Sequence, residues 1–197
     1  VETMRAITGT CTGNITASKA TAQEATFKYA WFWDHPPIMK LKDSVAMRWL
    51  AYDKNGYEVD VTKTSEKCSI SYYWNNRVQF TRSGTQEPDL DFNSLNIQFD
   101  EAENFQSSTT MTEEAYAGNG YVRVSVKVEP EVHNSISYLK VAALYGHTTV
   151  GVGSPSIGLS PAGTISISFS GTINSVIDSI AGDKVKITKT EDPNSPN

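Results

Sequence analysis

Tyr121-Val122-Arg123-Val124-Ser125-Val126-Lys127-Val128 decides how this chain is read. Valine takes every second position and polar residues fill the gaps. In extended backbone, successive side chains point to opposite sides, so the valines share one face and Arg123, Ser125 and Lys127 the other. β-Branched side chains are stiff at χ1 and fit a pleated surface, which favours a strand with one buried face.

The same period recurs on both sides of this segment. Thr164–Ser170 alternates Ile165, Ile167 and Phe169 with polar residues, and Leu95, Ile97 and Phe99 alternate with Asn96 and Gln98. Cys68, Ile70, Tyr72 and Trp74 form another such row, as do Phe27, Tyr29, Trp31 and Trp33. Turn chemistry separates these rows. Asp53-Lys54-Asn55-Gly56 stands between Val45–Tyr52 and Tyr57–Thr62, and Asn-Gly supplies the positive φ of a tight hairpin. Asn75-Asn76 reverses the chain between Cys68–Trp74 and Arg77–Arg82, Gly118-Asn119-Gly120 introduces the valine strand, and Pro130 ends it. Ser154-Pro155 and Ser160-Pro161-Ala162-Gly163 read as loops.

Helix is scarce. Ile173, Ile177 and Ile180 at i, i+4 and i+7, followed by Gly182, allow one short helix near the C-terminus, with a strand as the alternative. The expected fold is therefore all-β: an antiparallel β-sandwich, immunoglobulin-like or jelly-roll-like. One domain over 1–189 with a polar tail at 190–197 is the preferred division. A split into two small β domains near 106–119 is the alternative, disfavoured because that stretch lacks the Pro/Gly density of a linker.

Composition narrows the function classes. The 197 residues carry a net charge of −5 and a mean hydropathy of −0.37, and the basic residues are scattered. Nucleic acid needs a basic face that releases counterions, so it is not the expected partner. No apolar run exceeds the five residues of Val141–Tyr145, too few for a helix to cross a bilayer, and no membrane insertion is expected. The first residue, Val1, and the polar tail Glu191–Asn197 suggest an exported protein freed of its signal peptide, placing it outside the cell or on its surface. Cys11 and Cys68 form either one disulfide, closing a long loop, or two separate buried thiols.

The segment Trp31-Phe32-Trp33-Asp34-His35-Pro36-Pro37-Ile38-Met39-Lys40-Leu41-Lys42-Asp43-Ser44-Val45-Ala46-Met47-Arg48-Trp49 resembles a stretch found in uncharacterised secreted proteins of Gram-positive bacteria. It spans about a tenth of the chain, a small part of a domain. The resemblance implies export and carries no activity with it.

Two aromatic groups bear on recognition. Phe27, Tyr29, Trp31 and Trp33 share a face that reads first as hydrophobic core, with Ala30 and Phe32 outside. Tyr73-Trp74-Asn75-Asn76-Arg77 runs into a turn, where rings beside amides and a guanidinium suit a polar ligand such as a sugar. Tyr52 and Tyr57, flanking their own turn, extend that surface if they face outward.

Support for catalysis is thin. Glu87-Pro88-Asp89-Leu90-Asp91-Phe92 is similar to the Glu-x-Asp-x-x-Glu strand of some jelly-roll glycosidases, but Phe92 stands where a carboxylate is required. Asp100, Glu101 and Glu103 read as a solvated loop. Calcium is the one cofactor considered, through Asp89, Asp91, Asp100 and Glu103, although no twelve-residue calcium loop is present. His35, His133 and His147 are dispersed, and His35 and His147 read as loop residues. Gly-x-Ser-x-Gly and His-Glu-x-x-His are both missing, so no catalytic or metal-ligating residue is assigned. The expected function is a non-enzymatic extracellular or cell-surface module binding a glycan or protein. The alternatives are a structural or assembly domain and a polysaccharide-active hydrolase.

Overall fold

The computed structural model describes residues 11–19, 21–36, 42–87, 93–129, 135–148, 155–159, 165–169, 175–181, 185–186 and 188–189. These residues hold strands and no helix. In chain order the first eight strands are β1 (Cys11–Lys19), β2 (Glu24–Trp33), β3 (Lys42–Tyr52), β4 (Glu58–Val59), β5 (Val61–Trp74), β6 (Arg77–Arg82), β7 (Thr85–Glu87) and β8 (Ser94–Asp100). They are followed by β9 (Ala102–Gln106), β10 (Thr112–Val128), β11 (Tyr138–Thr148), β12 (Pro155–Leu159), β13 (Ile165–Phe169), β14 (Ser175–Ala181), β15 (Val185–Lys186) and β16 (Thr188–Lys189).

Two sheets face each other. The first has the order β16-β1-β2-β10-β5-β6, with β9 also on β10; the second runs β14-β11-β3-β8-β7, with β4 on β3 and β15 on β11. All pairings are antiparallel except β1 with β16. The β12–β13 hairpin forms a small third sheet. The fold is an all-β sandwich of antiparallel sheets. β14 pairs along β11 from Ala142↔Ala181 to Thr148↔Ser175, so the described part of the isoleucine-spaced segment, with Ile177 and Ile180, is a strand; Ile173 and Gly182 lie outside the described residues. An open sheet edge offers that backbone a full ladder of partners, which outweighs a three-residue periodic signal.

The core follows the alternation. Val122, Val124, Val126 and Val128 are all buried, and so are Phe27, Tyr29, Trp31 and Trp33, which stand beside them on β2. Phe32, on the opposite face of β2, is 52% exposed. From the second sheet, Val45, Met47, Trp49 and Ala51 of β3, Leu95, Ile97 and Phe99 of β8, and Leu139, Val141, Ala143 and Tyr145 of β11 complete the interior. Rings bridge the sheets: Phe27 meets Trp49 at 5.2 Å between centroids, and Trp31 meets Phe99 and Tyr145, each at 5.7 Å. Burying rings of this size at about 25 cal/mol per Å² makes β2 a large contributor to stability.

Gly118-Asn119-Gly120 does not start the valine strand; β10 begins at Thr112 and runs through it. The pairing with β5 shifts between Ala117 and Asn119, a bulge that changes which positions face inward. Before it Ala115 and Ala117 point to the core, and after it Gly120 and the valines do. Gly120 stands opposite Trp31, and a Cβ there would sit 2.4 Å from the indole. The glycine is demanded by a ring on the next strand.

Both turns form, but in the first only Gly56, and not Asn55, takes positive φ, and the Asp53 side chain closes it. Asp53 Oδ1 accepts from the backbone N–H of Asn55 and Tyr57, with Gly56 at φ 85°. Asn75 and Asn76 have φ 50° and 59°, the two positive angles of a two-residue hairpin turn. The sequence at 190–197 lies outside the described residues.

Gly120→Ala forces a methyl against the Trp31 ring, and overpacking of this kind costs about 1–3 kcal/mol. A lowered urea midpoint with an unchanged slope is expected; an unchanged midpoint would mean that the indole does not occupy this place.

Candidate functional site

At one end of the interior the apolar face gives way to polar groups. On β3 the inward row is Asp43, Val45, Met47, Trp49 and Ala51, and on β11 it is Leu139, Val141, Ala143, Tyr145 and His147. Gly146 pairs with Ser44, so Asp43 and His147 are neighbours across the two strands at the last inward position of each. Glu101 joins them from the corner where the chain leaves β8 and enters β9, a corner anchored by the Ala117 N–H donating to the Glu101 carbonyl at 2.8 Å. Asp43 and Glu101 are 0% exposed and His147 3%.

His147 Nδ1 lies 3.0 Å from Asp43 Oδ1 and 3.1 Å from Glu101 Oε1. The Tyr145 hydroxyl donates to Asp43 Oδ2, and Trp33 Nε1 donates to the Tyr145 oxygen at 3.1 Å. The Trp33 ring stands edge-on to His147, 5.2 Å away. Burial works against charge on His147, but its hydrogen bonds to Asp43 and Glu101 and the nearby negative charge of both outweigh this, and its pKa is pushed up to about 10. Burial, reinforced by Asp43 and Glu101, holds the Tyr145 phenol well above its ordinary value. One donor atom from each of Asp43, Glu101 and His147 falls within 4.8 Å of the others, a set able to hold a metal ion.

These placements correct two expectations. His147 is a strand residue, since β11 pairs through it with β14 and its ring closes the core. Glu101 belongs to no solvated loop, because the crossover between sheets turns its side chain into the interior. Asp43 belongs to no ligand motif in the sequence. The signal for Asp43 and His147 was there, however: carrying the alternation two residues past Tyr145 and two before Val45 places both on the inner face.

The predicted ligand surface is divided by the fold. Trp74 shares the inner face of β5 with Ile70 and Tyr72, whereas Tyr73 is on the outer face, its oxygen accepting from Asn119 Nδ2 at 2.7 Å and its ring 6.1 Å from Tyr116. Asn75, Asn76 and Arg77 are exposed at the hairpin tip. Tyr52 and Tyr57 do not extend this surface. They lie near the Val61 end of β5, and 14 residues of extended strand put that end on the order of 40 Å from Trp74. Tyr57 is 72% exposed and Tyr52 half-buried.

The Tyr72 hydroxyl donates to the carbonyl of Asp100, the last residue of β8. At the margin of the core the inner face continues as Trp74, Phe80 and Phe105, all half-buried: Trp74 meets Phe105 edge-on at 5.8 Å, and Phe80 lies 6.1 Å from Phe105. The Arg82 guanidinium covers the Phe80 ring at 4.4 Å and pairs with Glu103 at 3.0 Å. Glu103 is thus committed to an arginine, and Asp100 is exposed; Asp89 and Asp91, the other calcium candidates, lie outside the described residues, as does 88–92 of the glycosidase-like segment.

Cys11 and Cys68 are separate thiols, which overturns the disulfide alternative. Cys11 is on β1 opposite Trp33, and Cys68 is on β5 opposite Val122, with β2 and β10 between them. Three strand spacings amount to about 14 Å, beyond the ~7 Å that a bridge tolerates between Cα atoms. Cys68 lines a cavity of about 310 Å³ with Glu66, Lys67, Ser83, Gly84, Gln86 and Ile97. Burial, helped by the Glu66 charge, pushes its pKa up to about 12.

No protein-family model matches the chain, and no curated protein does. A solved structure described as "AvmM Catalyzes Macrocyclization in Alchivemycin A Biosynthesis" covers 88% of this chain and 89% of its own at 7% identity, with a TM-score of 0.33. A likeness that slight carries nothing for this chain.

Thiol chemistry checks this arrangement. Alkylation in denaturant without reductant should add two groups per chain. In the folded protein at pH 8 Cys68 should react far more slowly than in urea, because so little of it is thiolate. A mass showing no alkylation without reductant would establish the bridge instead.

Proposed function

We propose that this chain is a non-enzymatic extracellular or cell-surface module whose partner is a protein, engaged at the end of the first sheet where the β5–β6 and β9–β10 hairpins project. The reading rests on one observation. Of the four tryptophans, Trp31, Trp33 and Trp49 are buried, while Trp74 stands half-exposed in the Trp74–Phe80–Phe105 strip at the margin of the core. Val78, 49% exposed, and Arg77 lie beside it on β6, which forms one end of its sheet.

An apolar strip rimmed by arginine is the composition of a protein contact. The edge-on packing of Trp74 on Phe105 favours a protein over a glycan, because a sugar ring stacks on a free, flat aromatic face. The outer edge of β6 adds backbone groups on which a partner strand can pair. The burial of three tryptophans favours the second reading, a structural or assembly domain, over a broad sugar platform. A hydrolase would need two carboxylates across a cleft, and among the residues lining the 310 Å³ cavity Glu66 alone is a carboxylate.

A photo-crosslinking residue at Val78, compared with one at Tyr57 at the far end of β5, tests the proposal in surface extracts of the producing cells. A discrete adduct from position 78 that Trp74→Ala reduces at least severalfold is expected. Equal adducts from both positions, or none, would contradict it. A change in tryptophan fluorescence with a polysaccharide, lost in Trp74→Phe, would turn the same site to glycan.

A further inference from the structure

We infer that Asp43, Glu101 and His147 form a closed binding site for one divalent transition-metal ion, of the zinc or manganese class, which locks the two sheets together at this end of the sandwich. This inference is independent of the partner-binding surface above.

The geometry of one nitrogen carries it. His147 Nδ1 is approached by two carboxylate oxygens from different parts of the chain, at 3.0 and 3.1 Å. An Nδ1–H has one hydrogen and one good direction, so it makes a linear bond to one oxygen and a poor one to the other. A metal ion has no such limit. Ligand bonds of about 2.0–2.2 Å set neighbouring donor atoms roughly 3.0–3.4 Å apart, and both separations fall in that interval. One imidazole nitrogen with two carboxylates is a donor set for zinc, manganese or ferrous iron rather than for calcium, which takes oxygen alone.

The surroundings match. Ligating carboxylates are characteristically held by hydrogen bonds from behind, and the Tyr145 hydroxyl holds Asp43 Oδ2 while Trp33 Nε1 fixes the Tyr145 oxygen. The donors come from β3, β11 and the β8–β9 corner, so an ion on them ties the second sheet to the crossover into the first. With the ligand residues 0–3% exposed, a hydrated ion has no open route to them and loads as the chain folds. Loading takes the proton from His147 Nδ1 into solvent.

The test refolds the full chain from denaturant with chelator alone, with Zn²⁺, with Mn²⁺ or with Co²⁺, then desalts it and measures metal content and melting temperature. The wild type should retain about one ion per chain and melt higher than the chelator-refolded protein, and the cobalt form should show the visible absorption of a nitrogen–oxygen site. Asp43→Asn, Glu101→Gln and His147→Gln should each lose the ion. Should a variant fail to fold, the metal content and cobalt spectrum of the wild type still decide. Wild type that retains no ion under any of these conditions overturns the inference and leaves a proton on His147 as the bridge. Retention that all three variants preserve, or a cobalt spectrum dominated by thiolate charge transfer, places the ion elsewhere and overturns it equally.

Discussion

One face of β2 has to be out of water, and the rest of the architecture answers to that. Phe27, Tyr29, Trp31 and Trp33 are too large and too apolar to be covered by neighbours within their own sheet, so a second sheet must close over them. β3, β8 and β11 supply it with Trp49, Phe99 and Tyr145 at ring-contact distance. The requirement extends sideways as well. A ring as broad as Trp31 leaves no room for a side chain opposite it on β10, so Gly120 stands there, and the bulge beside it turns the valines inward.

Both candidate sites lie where this packing ends. Within the sandwich the inward rows of β3 and β11 finish in Asp43 and His147, and the corner at Glu101 closes over them. At the margin of the core, the first sheet leaves Trp74, Phe80 and Phe105 partly bare. The crossover from β8 to β9 bears on both: Glu101 at the corner is buried in the polar cluster, and β9 carries Phe105 of the aromatic strip. A change at this corner is expected to be felt by both.

How far the sequence could be read depended on whether the information was local. Alternation along a strand is local, so the inner faces of β2, β5, β8 and β10 followed from it, and with them the burial of Trp31 and Trp33. The Asn75-Asn76 turn is local too, since both residues tolerate positive φ. The role of Gly120 is not, because the ring it accommodates sits on a strand far away in sequence. The isoleucine spacing before Gly182 left helix and strand both open for a related reason: the open edge of β11 decides the described part of that segment, and no residue within it announces the edge.

The polar cluster shows the limit most plainly. Asp43 and His147 are 104 positions apart, and only the register of β3 on β11 brings them together. Each lay on a predictable face, yet nothing in the sequence said which strands would be neighbours. Glu101 had no signal at all, because a carboxylate amid acidic and amide residues looks solvated until the path of the chain is known. The division of Tyr73 from Trp74 is instructive in the opposite sense: the period of two already placed them on different faces, and the turn beside them drew attention away from it.

Native-state hydrogen exchange followed along a denaturant series tests the central claim, that the β2 aromatic face packed against β3, β8 and β11 is the last structure to open. The amides of Phe27–Trp33 and Val122–Val128 should exchange only through global unfolding, with opening free energies equal to the stability measured by denaturant. Exchange of these amides at the rate of those near the exposed Tyr57 and Met111 would contradict it, and would mean that the two sheets are held by something other than the rings between them.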